Sequence, residues 1–144
     1  KRNFNVRGNY LFLLNQASPI LTAFLISTSL ITFSSFFNSE FVKKEMEEIT
    51  ELQEKIYDSV FKFPTMNNKE KLEHIEILER LLNKQQILYT RLSLSDDPQA
   101  KIMRDNIAKE AKMIGFPDDV DIGYVFSNIC TMIEAMKKTI QENT

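Results

Sequence analysis

The sequence is poor in the residue types from which most reactive sites are built. Its 144 residues include one histidine, one cysteine and three glycines, and no tryptophan. The single Cys130 excludes an internal disulfide framework and a cysteine-rich zinc site. The single His74 excludes a multi-histidine site, and three scattered glycines do not form a phosphate-binding loop. We therefore predict a protein that is not an enzyme, has no catalytic or metal-binding residues and needs no cofactor.

Acidic residues are missing from the first part of the chain. Residues 1–38 contain Lys1, Arg2 and Arg7 and no acidic residue, so the remainder carries 15 basic against 20 acidic residues. The net charge of residues 39–144 is therefore −5, and that of the whole chain is −2. A negative body disfavours broad contact with nucleic acid, because phosphate groups repel it. Partner proteins are the expected class of partner instead.

Residues 1–35 differ in composition from the rest, and we separate them from a helical domain over residues 36–144. A basic start precedes an apolar, hydroxyl-rich run over residues 10–37. Three interpretations stay open for this stretch. It is a signal or membrane anchor using residues 20–37, an arm that packs on another subunit, or a leader outside the native domain. Contact with a membrane is expected only through residues 10–37.

The region from Phe41 to Leu92 predicts two long amphipathic helices joined by a proline-containing turn. Apolar residues of the first helix recur at steps of three and four, which places them on one face. They are Val42, Met46, Ile49, Leu52, Ile56, Val60 and Phe63. Asn38 or Ser39 caps the start of this helix, and Pro64 ends it because proline lacks the N–H needed to continue.

The second helix of this hairpin runs from about residue 68 to 92. Asn67 followed by Glu70 forms a capping box. Two neighbouring apolar seams indicate two neighbours: the first helix, and either a later helix or a second copy of the chain. The predicted interaction surface consists of Ile75, Ile77, Leu78, Leu81, Leu82, Gln85, Leu88 and Tyr89. We expect Gln85 to be partly exposed at the edge of a core; the alternative is a buried group that fixes register or copy number.

Two further helices follow. Asp97 and Pro98 predict the start of the third helix, and Gly115 predicts a left-handed C-terminal cap. Asp121 caps the last helix, over about residues 122–141. The predicted fold class is all-α: a long antiparallel helical hairpin plus two further helices in a bundle-like arrangement. His74 is expected at a helix–helix contact and Cys130 among packed side chains.

Three segments carry a family resemblance. Residues 36–45 (FFNSEFVKKE), 91–97 (RLSLSDD) and 132–137 (MIEAMK) resemble small helical proteins of unknown function from cyanobacteria and their tailed phages. The resemblance covers residues 36–140 and leaves the first 35 outside it. It implies a helical, uncharacterised, non-catalytic protein.

A second resemblance is to the small terminase subunits of tailed phages, whose helical hairpin forms rings. It involves residues at similar places along the hairpin: Val42, Met46, Gln53, His74, Glu76 and Leu88. It implies an oligomerising scaffold with coiled-coil-like contacts, most concretely a phage DNA-packaging or virion-assembly factor. One alternative is a regulatory or adaptor protein of the cyanobacterial type, and another is a membrane-anchored helical domain. We expect a homo-oligomer in the cytoplasm, which is the host's cytoplasm if a phage encodes the protein.

Overall fold

A computed structural model describes residues 6–28 and 36–143 of the chain. These residues form five α-helices and one 3₁₀ helix, and no strand occurs among them. The elements are α1 (Val6–Thr28), α2 (Glu40–Ser59), the 3₁₀ helix (Val60–Thr65), α3 (Asn68–Leu94), α4 (Pro98–Ile114) and α5 (Ile122–Glu142). The predicted all-α, bundle-like fold is confirmed.

Most helix starts use the predicted caps. The Asn67 side chain accepts from the backbone N–H of Glu70 at 2.9 Å, and the Glu70 carboxylate accepts from the Asn67 N–H at 3.0 Å. Asp97 accepts from the N–H of Gln99 at 2.8 Å, immediately before Pro98. Asp121 accepts from the N–H of Gly123 at 3.0 Å. Each cap satisfies a backbone donor that has no partner inside its helix.

Two helix ends differ from expectation. α2 ends at Ser59, earlier than the predicted end at Pro64, which lies inside the 3₁₀ helix. The buried Phe63 therefore belongs to the 3₁₀ helix and not to α2. Gly115 has φ 178°, which is extended backbone, so the predicted left-handed cap is wrong. The N–H groups of Gly115 and Phe116 both donate to the Ala111 carbonyl at 3.1 Å. These two bonds close α4 without a positive φ.

The bundle is organised around α3, which packs against α2, α4 and α5. α1 packs mainly on α4 and α5. α4 packs more extensively on α1 than on α3. The apolar stripe of α4, made of Ala100, Met103, Ile107 and Ala111, is buried. Much of what holds α4 in the bundle is therefore α1.

The predicted interaction surface on α3 is covered within the chain itself. Six of its residues are buried, namely Ile75, Leu78, Leu81, Leu82, Gln85 and Leu88, while Ile77 and Tyr89 are half-buried. Because α2 and α5 pack on α3, the second neighbour of this helix is a later helix of the same chain. The expectation that Gln85 is partly exposed is wrong, since its side chain is 0% exposed.

The N-terminal stretch contributes α1 to the core of its own chain. Residues 29–35, on which part of the predicted membrane span over residues 20–37 falls, lie outside the described residues. Within the described part, α1 ends at Thr28 and residues 36–38 form a turn. The Phe36 N–H donates to the Asp97 carboxylate at 3.3 Å, which ties the start of the helical domain to the start of α4.

Candidate functional site: the groove that holds the first helix

A groove between the 3₁₀ helix, α3, α4 and α5 holds α1, and we call it the α1 groove. We define it by residues that approach α1: Phe63, His74, Gly115, Phe126, Met132 and Met136. The α1 residues that enter it follow a heptad spacing of three and four: Tyr10, Leu13, Ala17, Ile20 and Phe24. Each of these five is at most 1% exposed. The spacing keeps all five on one face of α1.

Aromatic contacts anchor α1 in the groove at two levels. The Tyr10 ring stacks on Phe63, with centroids 3.8 Å apart and planes 14° apart. Fourteen residues along, the Phe24 ring meets Phe126 in an edge-to-face contact at 6.2 Å. Aromatic pairs in such geometries stabilise beyond the area that they bury. The small Ala17 lies between the two anchors.

A chain of hydrogen bonds joins α1 to the hairpin. Tyr10 Oη lies 2.6 Å from His74 Nε2, and Ser59 Oγ lies 3.1 Å from His74 Nδ1. Ser59 Oγ also donates to the Lys55 carbonyl at 2.9 Å, which uses its only hydrogen. His74 Nδ1–H must then donate to Ser59, and Tyr10 O–H must donate to Nε2. This tautomer is the one that satisfies all three contacts.

Burial keeps the network neutral. It lowers the pKa of His74 to about 4 and raises the pKa of Tyr10 well above its usual range, because charge is disfavoured away from water. The imidazole is therefore neutral at neutral pH. Since the Ser59 hydroxyl is directed at Lys55, the imidazole donates to it rather than taking its proton. The hydrogen bonds among Tyr10, His74 and Ser59 join α1, α3 and α2, and we call this network the clasp.

His74 lies at a helix–helix contact, as the sequence predicted, but sequence reasoning missed its partners Tyr10 and Ser59. The spacing of Tyr10, Leu13 and Ala17 was the available signal. Amide and hydroxyl residues on the other faces of the same helix diluted it.

Cys130 is half-buried, and burial raises the pKa of its thiol. Its Sγ lies 3.6 Å from the Asn83 side-chain oxygen.

Two buried glutamines in the hairpin have polar atoms without a partner among the described residues. These atoms are the Oε1 and Nε2 of Gln85 and the Nε2 of Gln53. An unpaired buried amide costs free energy because it gives up its hydrogen bonds to water. We therefore expect an apolar side chain at position 85 to stabilise the core.

The outer face of α1 has no charged side chain from Gly8 to Ile26. Four large apolar residues on this helix are exposed, namely Leu11, Phe12, Leu25 and Ile26, with Leu11 and Phe12 more than half exposed. Phe12 also lies beside Met132 and Ala135 of α5. This uncharged, partly apolar helix face is a candidate contact surface.

Fold and site define the class of this protein: an all-α bundle whose first helix fills a groove made by the others. Among the described residues, no group of three His, Cys, Asp or Glu side chains is positioned to hold a metal ion. A family model described as a domain of unknown function (DUF1825) matches residues 34–140, and the chain belongs to that family. The match spans α2 to α5 and begins after α1.

The predicted membership of an uncharacterised family is thus confirmed. No curated protein matches the chain, and no solved structure does. The cyanobacterial or phage origin and the likeness to small terminase subunits stay predictions.

Proposed function

We propose that the protein is a non-enzymatic scaffold or assembly protein that self-associates through the outer face of α1. The observation that carries the proposal is the uncharged outer face of α1, with its exposed Leu11 and Phe12. Side chains of this kind gain free energy when a second apolar surface removes them from water. The surface predicted from the sequence, on α3, is already covered and is not part of this proposal.

Charge favours a second copy of the chain as the occupant of that face. Residues 39–144 carry five more acidic than basic residues, so two such bodies repel each other when their charged sides meet. α1 offers a side without acidic residues, where two copies can approach without placing carboxylates together. A two-fold contact between identical faces is also the commonest way in which soluble proteins form oligomers.

Sedimentation of the full chain tests the proposal. We expect a concentration-dependent oligomer at micromolar concentration that Phe12→Lys weakens, because a charge then has to be buried at the contact. The matched control is Phe61→Lys on the 3₁₀ helix, which changes the same residue type at a side chain that is 92% exposed. A stable monomer of the wild-type chain, or equal effects of the two substitutions, would contradict the proposal.

The most specific form of the proposal is a phage packaging or virion-assembly factor. The long α2–α3 hairpin, whose predicted likeness is to small terminase subunits, supports it. Electron microscopy should then show closed rings of copies, and the rings should change the ATPase rate of a packaging motor. Self-association without rings and without any effect on such a motor favours the cytoplasmic regulatory or adaptor alternative.

A second candidate function, attachment to a membrane, rests on one observation. The helix Gly8–Ile26 is long and apolar enough to cross a bilayer by length and composition, although 44% of that window is buried against the rest of the chain. Flotation of the full chain with lipid vesicles tests this candidate. Recovery of the wild-type protein but not of Phe12→Lys in the vesicle fraction would support it, and recovery of neither would remove it.

A further inference from the structure

We propose that the α1 groove is a helix-acceptor site that takes α1 from a second copy of the chain as well as α1 of its own chain. The occupant is argued from fit, since the helix already seated in the groove has the required shape and chemistry. The proposal rests on the proposed self-association and adds a different contact to it. It concerns the inner face of α1, whereas the proposed function concerns the outer face.

The first step is that side-chain contacts hold α1 in the groove. Tyr10 and Phe24 enter the groove at its two aromatic levels, against Phe63 and Phe126. The Tyr10 hydroxyl supplies one directional bond, to His74 Nε2. A helix with apolar residues at this heptad spacing is what a groove of this kind recognises. Any copy of α1 supplies the same set of side chains.

The second step is that an empty groove is energetically unfavourable, because its apolar side chains are then exposed to water. The stripe on α4 that includes Met103 and Ile107 is buried, α4 packs more extensively on α1 than on α3, and Phe126 of α5 contacts Phe24 of α1. When α1 leaves, these apolar side chains meet water. The opened molecule then captures the next α1 it encounters, whether its own or that of a neighbouring copy.

The third step concerns how α1 is attached. The family model matches α2 to α5 and begins after α1, so the groove residues lie within the matched region and α1 lies outside it. Seven residues, 29–35, separate Thr28 from Phe36. Because α1 and its groove belong to one chain, α1 of another copy competes for the groove only when the protein is concentrated, on the order of millimolar. We therefore expect exchange between copies to increase with protein concentration.

Pro19 and Gly115 provide a direct reporter of which α1 occupies a groove. A Cβ placed at Gly115 lies 3.6 Å from the Pro19 Cγ, which is ordinary van der Waals contact. Gly115 has extended backbone that any residue adopts, so a cysteine fits there. Positions 19 and 115 are therefore adjacent when α1 lies in the groove, and cysteines at both positions report that adjacency by forming a disulfide on oxidation.

The experiment mixes two full-length chains of different tag size. One carries Pro19→Cys with Cys130→Ser, and the other carries Gly115→Cys with Cys130→Ser. Each chain then has one cysteine, so a 19–115 disulfide forms only when α1 of one copy lies in the groove of the other. The matched control replaces the second chain with Ser93→Cys and Cys130→Ser, whose cysteine lies on an exposed part of α3. Circular dichroism checks that every variant stays helical.

The expected result, after incubation near millimolar concentration and mild oxidation, is a mixed-size dimer at least about fivefold above the control. The dimer should decline on dilution before oxidation. Equal yields for the reporter and the control pair would overturn the proposal. If the chains associate in sedimentation without the 19–115 product, the inference fails and the proposed function stands. If they do not associate at all, the proposed function fails as well.

Discussion

α1 and α3 are both long helices that bury an apolar face, but their outer faces are built in opposite ways. On α3 the solvent side carries Lys84, which pairs with Glu48 of α2 at 2.8 Å, and Glu79, which pairs with Lys137 of α5 at 2.9 Å. On α1 the solvent side carries no charge between Gly8 and Ile26. The outer face of α3 is therefore charged, whereas that of α1 is uncharged and partly apolar, which is the feature on which the proposed self-association rests.

The two helices also differ in how they are held. α3 follows α2 through a short 3₁₀ connection, so the hairpin is formed by residues that are near in sequence. α1 is held by contacts between distant residues, such as Tyr10 with His74, which lie 64 positions apart. Long-range contacts form only after the entropy of closing a long loop has been lost. We therefore regard the hairpin as the frame and α1 as the helix that docks on it.

The largest expected effect tests whether α1 is nonetheless part of the core. Phe24→Ala should lower the free energy of unfolding by about 3–5 kcal/mol, because it removes a fully buried aromatic ring and leaves a cavity. Urea denaturation followed by circular dichroism measures this loss. The control is Tyr124→Ala on α5, where the side chain is 64% exposed and the change should stay within about 0.5 kcal/mol. A loss at Phe24 no larger than the control's would mean that α1 does not contribute to the core.

The second effect is a dependence on pH carried by the clasp between α1 and α3. Burial lowers the pKa of His74 from its ordinary value of about 6.5 to about 4. The unfolded chain therefore binds a proton that the folded chain does not, and stability falls as pH drops from 6.5 towards 4. The loss attributable to His74 reaches about 3 kcal/mol, given about 1.4 kcal/mol for each pKa unit.

Urea midpoints at pH 7 and at pH 4.5 measure this dependence. Carboxylates also titrate in this range, so His74→Gln is the matched comparison, since it keeps every acidic group. Its stability should decline less over the same interval. Identical slopes for the two proteins would show that the imidazole is not held neutral.

The third effect is a gain in stability within the hairpin. Gln85→Met replaces an unpaired buried amide by an apolar side chain of similar volume and should stabilise the fold by about 1–3 kcal/mol. Thermal and urea unfolding measure the gain. The neighbouring Gln86→Met, at a half-buried position, is the control and should change little. A loss of stability at position 85 would show that the amide has partners in solution.

The smallest effect concerns the charged outer face of α3. Lys84→Met removes the pair with Glu48, and its change in urea midpoint should be the smallest of the four, because the pair is partly exposed. The difference from wild type should shrink as salt is added, since salt screens the pair. A large, salt-independent loss would show that the aliphatic part of Lys84 matters more than its charge.

Sequence patterns were sufficient for the hairpin and the two helices that follow. Capping residues such as Asn67 and Asp97 act on the backbone next to them, so their effect is local and readable. The burial of Gln85 could not be predicted from the sequence, because it depends on the packing of both α2 and α5 against α3. The φ of Gly115 was also missed, since hydrogen bonds to Ala111 close the helix in an extended geometry.

The α1 groove could not be predicted because its parts are far apart in the chain. Phe63, His74 and Phe126 belong to three elements, and only tertiary packing brings them against one helix. The heptad spacing of α1 was present in the sequence, but it fitted an anchor or an arm equally well. Periodicity shows which face of a helix is apolar and not which neighbour covers it.

Native-state hydrogen exchange of the full chain tests most directly the claim that α1 docks as a separable helix on a frame. Amides of α1 between Leu13 and Phe24 should exchange at least about tenfold faster than those of α3 between Leu78 and Leu88, through an opening that leaves the hairpin folded. If the two sets exchange at the same rate and only through global unfolding, α1 is inseparable from the frame and the account is contradicted.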